Sequence, residues 1–337
     1  MAPEYTRPLE RLSRSDEPAF GGKSANLGEL LAAEIPVPPG FAISTAAYEA
    51  FVRDAGLQDT IAAASPAIGD AMRAAPVPDE VRAQVSAHYA RLGHDAPVAV
   101  RSSAVGEDSA QATFAGQQET YLWVRGADSV CDAVRDCWIS LYSPTAIAYR
   151  ARLGEAERPP AMGVAVQLMV DAEVSGVMFT CNPVSGDPSM VAINASWGLG
   201  LAVVGGEVTP DDYLVSKVTG EVVRERVHSK DIEYVPGPSG GAVRVDVPAE
   251  RRDVACLDHD RLAQLVAVAK RVDGYFGSRQ DIEWVLARDA AEALFVVQAR
   301  PVTGLAKPPE RPKPASAMSL IMSTFGAGPP KDSDVSQ

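Results

Sequence analysis

Three short stretches of the chain combine residue types that could handle a charged ligand. In the first, an apolar run, Pro97-Val98-Ala99-Val100, leads into Arg101-Ser102-Ser103. A strand ending this way sets a fixed cation and two hydroxyl donors at its terminus. The short-side-chained loop 104–111 that follows suits a flap over a phosphate chain, with backbone N–H groups turned inward. An ordinary hairpin with a surface arginine fits the same spacing. In the second, Gly21-Gly22-Lys23 stands at the entry to an apolar helical pattern that reaches Leu31. The free N–H groups of a helix start plus an ammonium form an anion site. The G-x-x-x-x-G-K-[ST] spacing of a P-loop is absent, and a surface lysine before a helix is the plainer reading. In the third, Asp281–Leu286 and Leu294–Pro301 read as two strands of a hairpin. A register that sets Glu283 opposite Gln298 sets Leu286 opposite Phe295. Alternation then gives Ile282, Trp284 and Leu286 one face, and gives Glu283 the other with Val296, Gln298 and Arg300. Mg²⁺ takes one or two protein oxygens plus phosphate oxygens and keeps its remaining waters. Glu283 and Gln298 would supply those oxygens, and Arg300 would offset phosphate charge. A solvated strand face shows the same pattern.

The elements that must position these groups alternate along the chain. Residues 1–19 read as an extended polar lead-in. Ile35–Ser44 reads as a turn into a short strand, and Ser44 or Thr45 caps a helix through Val52. Residues 56–92 read as helical, with a break at Ala75–Pro78 and a cap at Asp79. Residues 127–153 read as a helix pair turning at Ser143-Pro144. Its apolar positions Val130, Val134, Cys137, Trp138, Leu141 and Tyr142 recur at helical spacing and are read as core. Glu155–Pro160 is polar and marks a lobe boundary. Met162–Val170 is a buried strand leading to Asp171, with Ser175–Thr180 as its expected antiparallel partner. Ala195–Asp211 is glycine-rich but lacks G-x-G-x-x-G order, so a dinucleotide fingerprint is not indicated. Tyr213–Val218 and Glu221–Val227 read as a hairpin, and Asp260–Phe276 as an amphipathic helix stopped by Gly277. After Thr303 the chain turns proline- and charge-rich. Residues 306–337 are expected to be disordered, with the apolar patch Met318–Phe325 as a candidate docking peptide.

Composition bounds the partners. The 337 residues carry a net charge of −13 and are 46% hydrophobic. That excludes a nucleic-acid groove or an anionic membrane surface, though it leaves room for ATP, whose site needs only a few local cations. Four cysteines (131, 137, 181, 256) form no C-x-x-C pair and read as reduced thiols of a cytoplasmic protein. Cys131 and Cys137 are six apart on a helix and so are expected to face different sides. No apolar leader or membrane span is evident.

The stretch Arg101–Val124, RSSAVGEDSAQATFAGQQETYLWV, resembles the nucleotide-binding domain of the phosphoenolpyruvate synthase and pyruvate phosphate dikinase family, whose signature runs R-S-S-A…E-D…F-A-G-Q-Q-E-T. Rifampin phosphotransferases and two-subunit phenylphosphate synthases share that domain. The family's D-I-E-W…Q-A-R-P matches Asp281–Trp284 and Gln298–Pro301, and the resemblance runs from about Phe20 to about Thr303. It implies an α+β, ATP-grasp-type, two-lobed nucleotide-binding fold with mixed, mostly antiparallel sheets, the lobes being 20–158 and 159–305. It implies ATP contacts at Lys23, Arg101, Gly116, Thr120, Gln167, Leu168, Met169, Val170 and Arg300. Gln167–Val170 would be the hinge that clamps adenine. Glu283 and Gln298 would hold Mg²⁺, and Arg101, Glu283 and Arg300 would be catalytic. Leu201 departs from the family's W-G-L-G-E, which puts a polar contact there in doubt. The family cleaves ATP to AMP and phosphate, passing the β-phosphate through a histidine in a G-G-x-T-C-H-A context. None of His88, His94, His228 and His259 stands in that context. The resemblance therefore implies the ATP-binding subunit of a split dikinase or synthase, working with a partner subunit that carries the phosphohistidine. The alternative is a regulatory or scaffold protein that binds ATP without turnover.

Overall fold

Short β-branched runs separated by glycine, proline and polar turns build two antiparallel sheets, seen in a computed structural model. It describes residues 3–63, 65, 67–106, 119–152, 160–238, 240–288 and 294–302. The first sheet contains β1 (Thr6–Pro8), β2 (Gly40–Ile43), β3 (Val98–Ala104), β4 (Thr120–Val124) and β5 (Met162–Leu168), in the order β1-β2-β5-β3-β4. The second begins with β6 (Ala172–Phe179), β7 (Met190–Trp197), β8 (Asp211–Ser216) and β9 (Val222–Arg226). A separate ribbon of β10 (Ile232–Pro236) and β11 (Ala242–Asp246) follows, and β12 (Gln280–Ala287) and β13 (Leu294–Pro301) complete the second sheet as β13-β12-β6-β7-β8-β9.

Alternation along the strands assigns their faces. Phe41, Ile43, Val98, Val100, Val164 and Val166 pack one face of the first sheet against the helices Thr45–Asp54, Asp79–Leu92 and Ala127–Ser140, with Trp138 fully buried among them. Ala42 and Ala165, on the other face, share a second core with the helix Gly22–Ala32 and with Ile193, Ile282 and Trp284 of the second sheet. The helix His259–Phe276 closes that core with Leu262, Leu265, Ala269 and Val272. Its start is fixed by Asp258, whose carboxylate accepts from the Arg261 N–H at 2.8 Å, and its end by Gly277 at φ 64°. Among the described residues no helix is long and apolar enough to cross a membrane.

Several expectations are corrected. Among the described residues the sheets are not mixed: every ladder between named strands is antiparallel, and parallel contacts occur only as isolated bridges such as Gly198–Tyr234. Among the described residues no helix crossover joins neighbouring strands of one sheet in parallel. β5 does not pair with β6; it lies between β2 and β3, while β6 lies between β12 and β7. A strand covered on both faces suits the centre of a sheet, so β5 takes long-range partners instead of a local one. The change of sheet falls after Leu168. β3 continues to Ala104, so Arg101 stands mid-strand opposite Ala165 and Thr120 instead of at a strand end. The lead-in is anchored: β1 pairs with β2, and Leu9 and Leu12 are buried. Asp79 is the first helical residue after Pro78. Cys131 and Cys137, on different sides of their helix, are both buried in the helix-covered core. Gly116 and residues 306–337 lie outside the described residues.

Candidate functional site

Arg101 joins the two sheets. Val98 and Val100 point into the helix-covered core, so Ala99 and Arg101 point the other way. The guanidinium crosses to the second sheet, where Nη1 donates to the Val297 carbonyl at 2.8 Å. Nη2 donates to Gln298 Oε1 at 2.6 Å and to Glu283 Oε2 at 3.2 Å. The carboxylate and amide oxygen expected to converge do so, on this arginine.

A bulge produces that geometry. Glu283 faces Gln298 as expected, but the next pair is Trp284 with Val296, leaving Val297 as an extra residue. Val285 then faces Phe295 and Leu286 faces Leu294, in place of the expected Leu286–Phe295 pair. Val297 and Gln298 both turn toward the site, and Val296 goes to the core with Ile282, Trp284 and Leu286 instead of sharing the face of Glu283. β4 carries a matching irregularity, with Leu122 and Trp123 standing against Ala99. Trp123 there adopts φ 56°, a left-handed conformation that a bulky residue rarely takes. Leu122, Trp123, Leu199 and Val285 form a small apolar cluster with Met169 and Val170.

These elements enclose a cavity of about 540 Å³. Arg101, Thr120, Gln167, Leu168, Met169, Val170, Glu283, Gln298 and Arg300 all line it, brought together from strands of both sheets. Arg300 Nε and Nη2 both lie 2.9 Å from Asp281 Oδ2. Burial pushes the Asp281 carboxyl above its ordinary range, against the opposing pull of Arg300. Gly116 falls outside the described residues. Lys23 is buried and is not among the described lining residues; its Nζ donates to the Ser102 carbonyl at 2.7 Å. The helix start at Gly22 is docked on β3, where the Ser24 N–H donates to Ser103 Oγ at 3.1 Å. Gly21 permits this docking: at φ 81°, a Cβ there would lie 1.9 Å from the Ser103 carbonyl oxygen.

Met169–Asp171 carries the chain from the first sheet to the second. Its entry is held: the Leu168 N–H donates to Pro39 O at 2.8 Å and the Met169 N–H to Pro97 O at 2.9 Å. Beyond them, the Met169 carbonyl and the Val170 N–H and carbonyl have no hydrogen-bond partner among the described residues. An unpaired donor beside unpaired acceptors, flanked by apolar side chains, matches the edge and faces of a planar heterocycle.

Sequence reasoning missed the apolar wall supplied by Leu122, Leu199, Val204 and Val285. It also missed Asp281 as the partner of Arg300, although the motif that carries it was in hand. Leu201, the departure from the family pattern, lies on the short helix Leu201–Val204 and lines the cavity. Among the described residues no cluster of three or more His, Cys, Asp or Glu could hold a metal. The donor set at the site is one carboxylate and one amide oxygen. That set fits an ion which draws most of its ligands from water and phosphate, as Mg²⁺ does.

The family model described as pyruvate phosphate dikinase, AMP/ATP-binding domain, matches residues 17–319. A protein named probable phosphoenolpyruvate synthase from Methanothermobacter thermautotrophicus is 38% identical over 97% of this chain and 50% of its own length. The phosphoenolpyruvate synthase of Pyrococcus furiosus is 34% identical over 98% of this chain and 48% of its own. A rifampicin phosphotransferase from a Streptomyces species is 38% identical over 86% of this chain and 35% of its own. The chain thus spans half or less of the length of these relatives. With the family model covering most of its residues and such relatives along nearly all of it, the chain belongs to the pyruvate phosphate dikinase AMP/ATP-binding domain family.

Proposed function

We propose that this chain binds ATP in the cavity between its sheets, as two lobes of ATP-grasp type meeting at Met169–Asp171, and serves as the nucleotide-binding part of a phosphotransferase. The observation that carries this reading is the cavity itself, which combines unpaired hinge backbone groups with a cluster of Arg101, Arg300, Glu283 and Gln298. The hinge would take the adenine edge, with Gln167 beneath it and Met169 and Val170 against the ring. Arg101 and Arg300 would take the phosphates, Arg101 exchanging protein oxygens for phosphate oxygens. Thr120 would add a hydroxyl, and Gly116 a close backbone approach. Lys23, whose ammonium donates to the Ser102 carbonyl next to Arg101, is a further phosphate contact in this reading. Mg²⁺, when bound, would be held by Glu283 and Gln298 and would neutralise phosphate charge during transfer.

The accepting histidine comes from a partner subunit. Among the described residues lining the cavity there is no histidine. His88 Nδ1 lies 2.9 Å from Thr6 Oγ1, and His228 Nδ1 lies 2.8 Å from the Pro210 carbonyl. In the proposed reaction the partner's imidazole nitrogen bonds to the β-phosphorus as the bond to AMP breaks, and the γ-phosphate leaves to water. A label-transfer assay with β-³²P-ATP tests this. The label is expected on the histidine-bearing partner with release of AMP. Stable label on this chain, or acceptor phosphorylation by this chain alone, would overturn the split-enzyme reading.

A further inference from the structure

We infer that Arg288, which lies outside the cavity lining, is the positioning residue of the base-binding hinge; this rests on the proposed placement of adenine at Met169–Asp171. Arg288 directly follows β12, the strand that carries Glu283. Its backbone N–H donates to the Asp171 carbonyl at 2.8 Å, and its Nη2 donates to the Ala172 carbonyl at 3.1 Å. Two consecutive carbonyls at the hinge exit are thus held by one residue far away in sequence. Its Nε also lies 3.5 Å from Asp171 Oδ1, and its Nη2 lies 4.0 Å from Glu233 Oε2. Both of those carboxylate oxygens are buried and have no hydrogen-bond partner among the described residues. The guanidinium is therefore the cation that compensates them.

Glu233 is otherwise held by Arg251 Nη1 at 3.4 Å, and the Arg251 guanidinium stacks on Trp197 at 4.3 Å. The residue after Glu233, Tyr234, accepts from the Leu199 N–H at 2.9 Å, and Leu199 lines the cavity. Arg288 therefore sits where the hinge exit meets the ribbon that supports the cavity's apolar wall. The entry side of the hinge is fixed by backbone bonds to Pro39 and Pro97. On the exit side, Arg288 supplies both backbone contacts at Asp171 and Ala172 that lie outside the sheet ladder. Removing its side chain should loosen the groups that would meet the base and leave the phosphate-facing Arg101 and Arg300 in place.

The test separates base from phosphate. Wild type, Arg288→Met and Arg288→Lys are compared by calorimetry with Mg-ATP and with Mg-tripolyphosphate, a ligand without a base. Thermal melting checks that each variant folds. Wild type should bind ATP more tightly than tripolyphosphate. Arg288→Met should weaken ATP binding about tenfold, the scale of one charge-assisted hydrogen bond, with tripolyphosphate affinity unchanged. Arg288→Lys, which keeps the cation but loses the fork, should show the same split at smaller size. Equal weakening of both ligands, or no change in ATP affinity in either variant, overturns the positioning role. If wild type binds ATP no better than tripolyphosphate, the hinge does not read a base, and both the inference and the adenine placement fall.

Discussion

Arg101 carries three bonds that no neighbouring residue could duplicate. It is nearly buried, and it connects Val297, Gln298 and Glu283 on the opposite sheet to the centre of β3. Replacing it with alanine leaves a carboxylate and an amide oxygen facing each other across an empty space. Arg101→Ala is expected to weaken Mg-ATP binding by about 1.5–3 kcal/mol, the range for a charge-assisted contact. Titration calorimetry on the folded variant measures it; unchanged affinity would remove Arg101 from the phosphate site. Glu283→Ala should act differently, slowing AMP release at saturating ATP with the partner present more than it weakens binding. Retention of full turnover at limiting Mg²⁺ would exclude Glu283 as a metal-holding group. These residues were legible in the sequence because cations and carboxylates beside apolar strands stand out as types. Lys23 was legible as a type as well. Its burial against the Ser102 carbonyl was not, because that depends on a strand 79 positions away.

Among the elements, regular strands could be read and irregular ones could not. Alternation gave Ile282, Trp284 and Leu286 their buried face, and helical spacing gave Val130, Val134, Cys137 and Trp138 theirs. The bulge at Val297 leaves no mark in composition, since one extra apolar residue looks like any other, yet it moves Val296 out of the site. The pairing of β5 was misread for a related reason. An apolar strand advertises burial but not its neighbours, and the nearest strand in sequence was not the one it joined. The helix docking at Gly21 belongs to this scale. Gly21→Ala would press a methyl group into the Ser103 carbonyl and force alanine to φ 81°. It is expected to cost at least about 2 kcal/mol of stability through strain and overpacking. Chemical denaturation reads that cost directly, and a wild-type midpoint would show that the helix start does not pack on β3 as described.

For the whole molecule, the two cores differ in what they join. One lies between the first sheet and its helices; the other binds the two sheets together. All four cysteines are free and buried, Cys131 and Cys137 in the helix-covered core and Cys256 in the core between the sheets. Burial pushes the Cys131 thiol up to about 11, and it pushes Cys137 and Cys256 higher still. Thiolate is the reacting form, so the native chain at pH 8 should consume almost no disulfide reagent over minutes. The same chain in guanidinium should consume four equivalents. A native thiol that reacts at once would mean that one of the cores is open. Six residues apart, Cys131 and Cys137 stand on different sides of their helix, yet both are buried in the same core, which only the assembled molecule reveals.

The order of strands along the chain also sets an order in synthesis. Among the described residues every strand of the first sheet precedes every strand of the second, and the buried residues of the helix-covered core run from Tyr5 to Val166. That core can close on the ribosome before β6 has been translated. At that stage the nascent chain already holds Arg101 in the middle of β3 in a finished sheet, but neither Glu283 nor Gln298 exists to receive it. The guanidinium waits, solvated, for β12 and β13, and the cavity becomes whole only as those strands arrive.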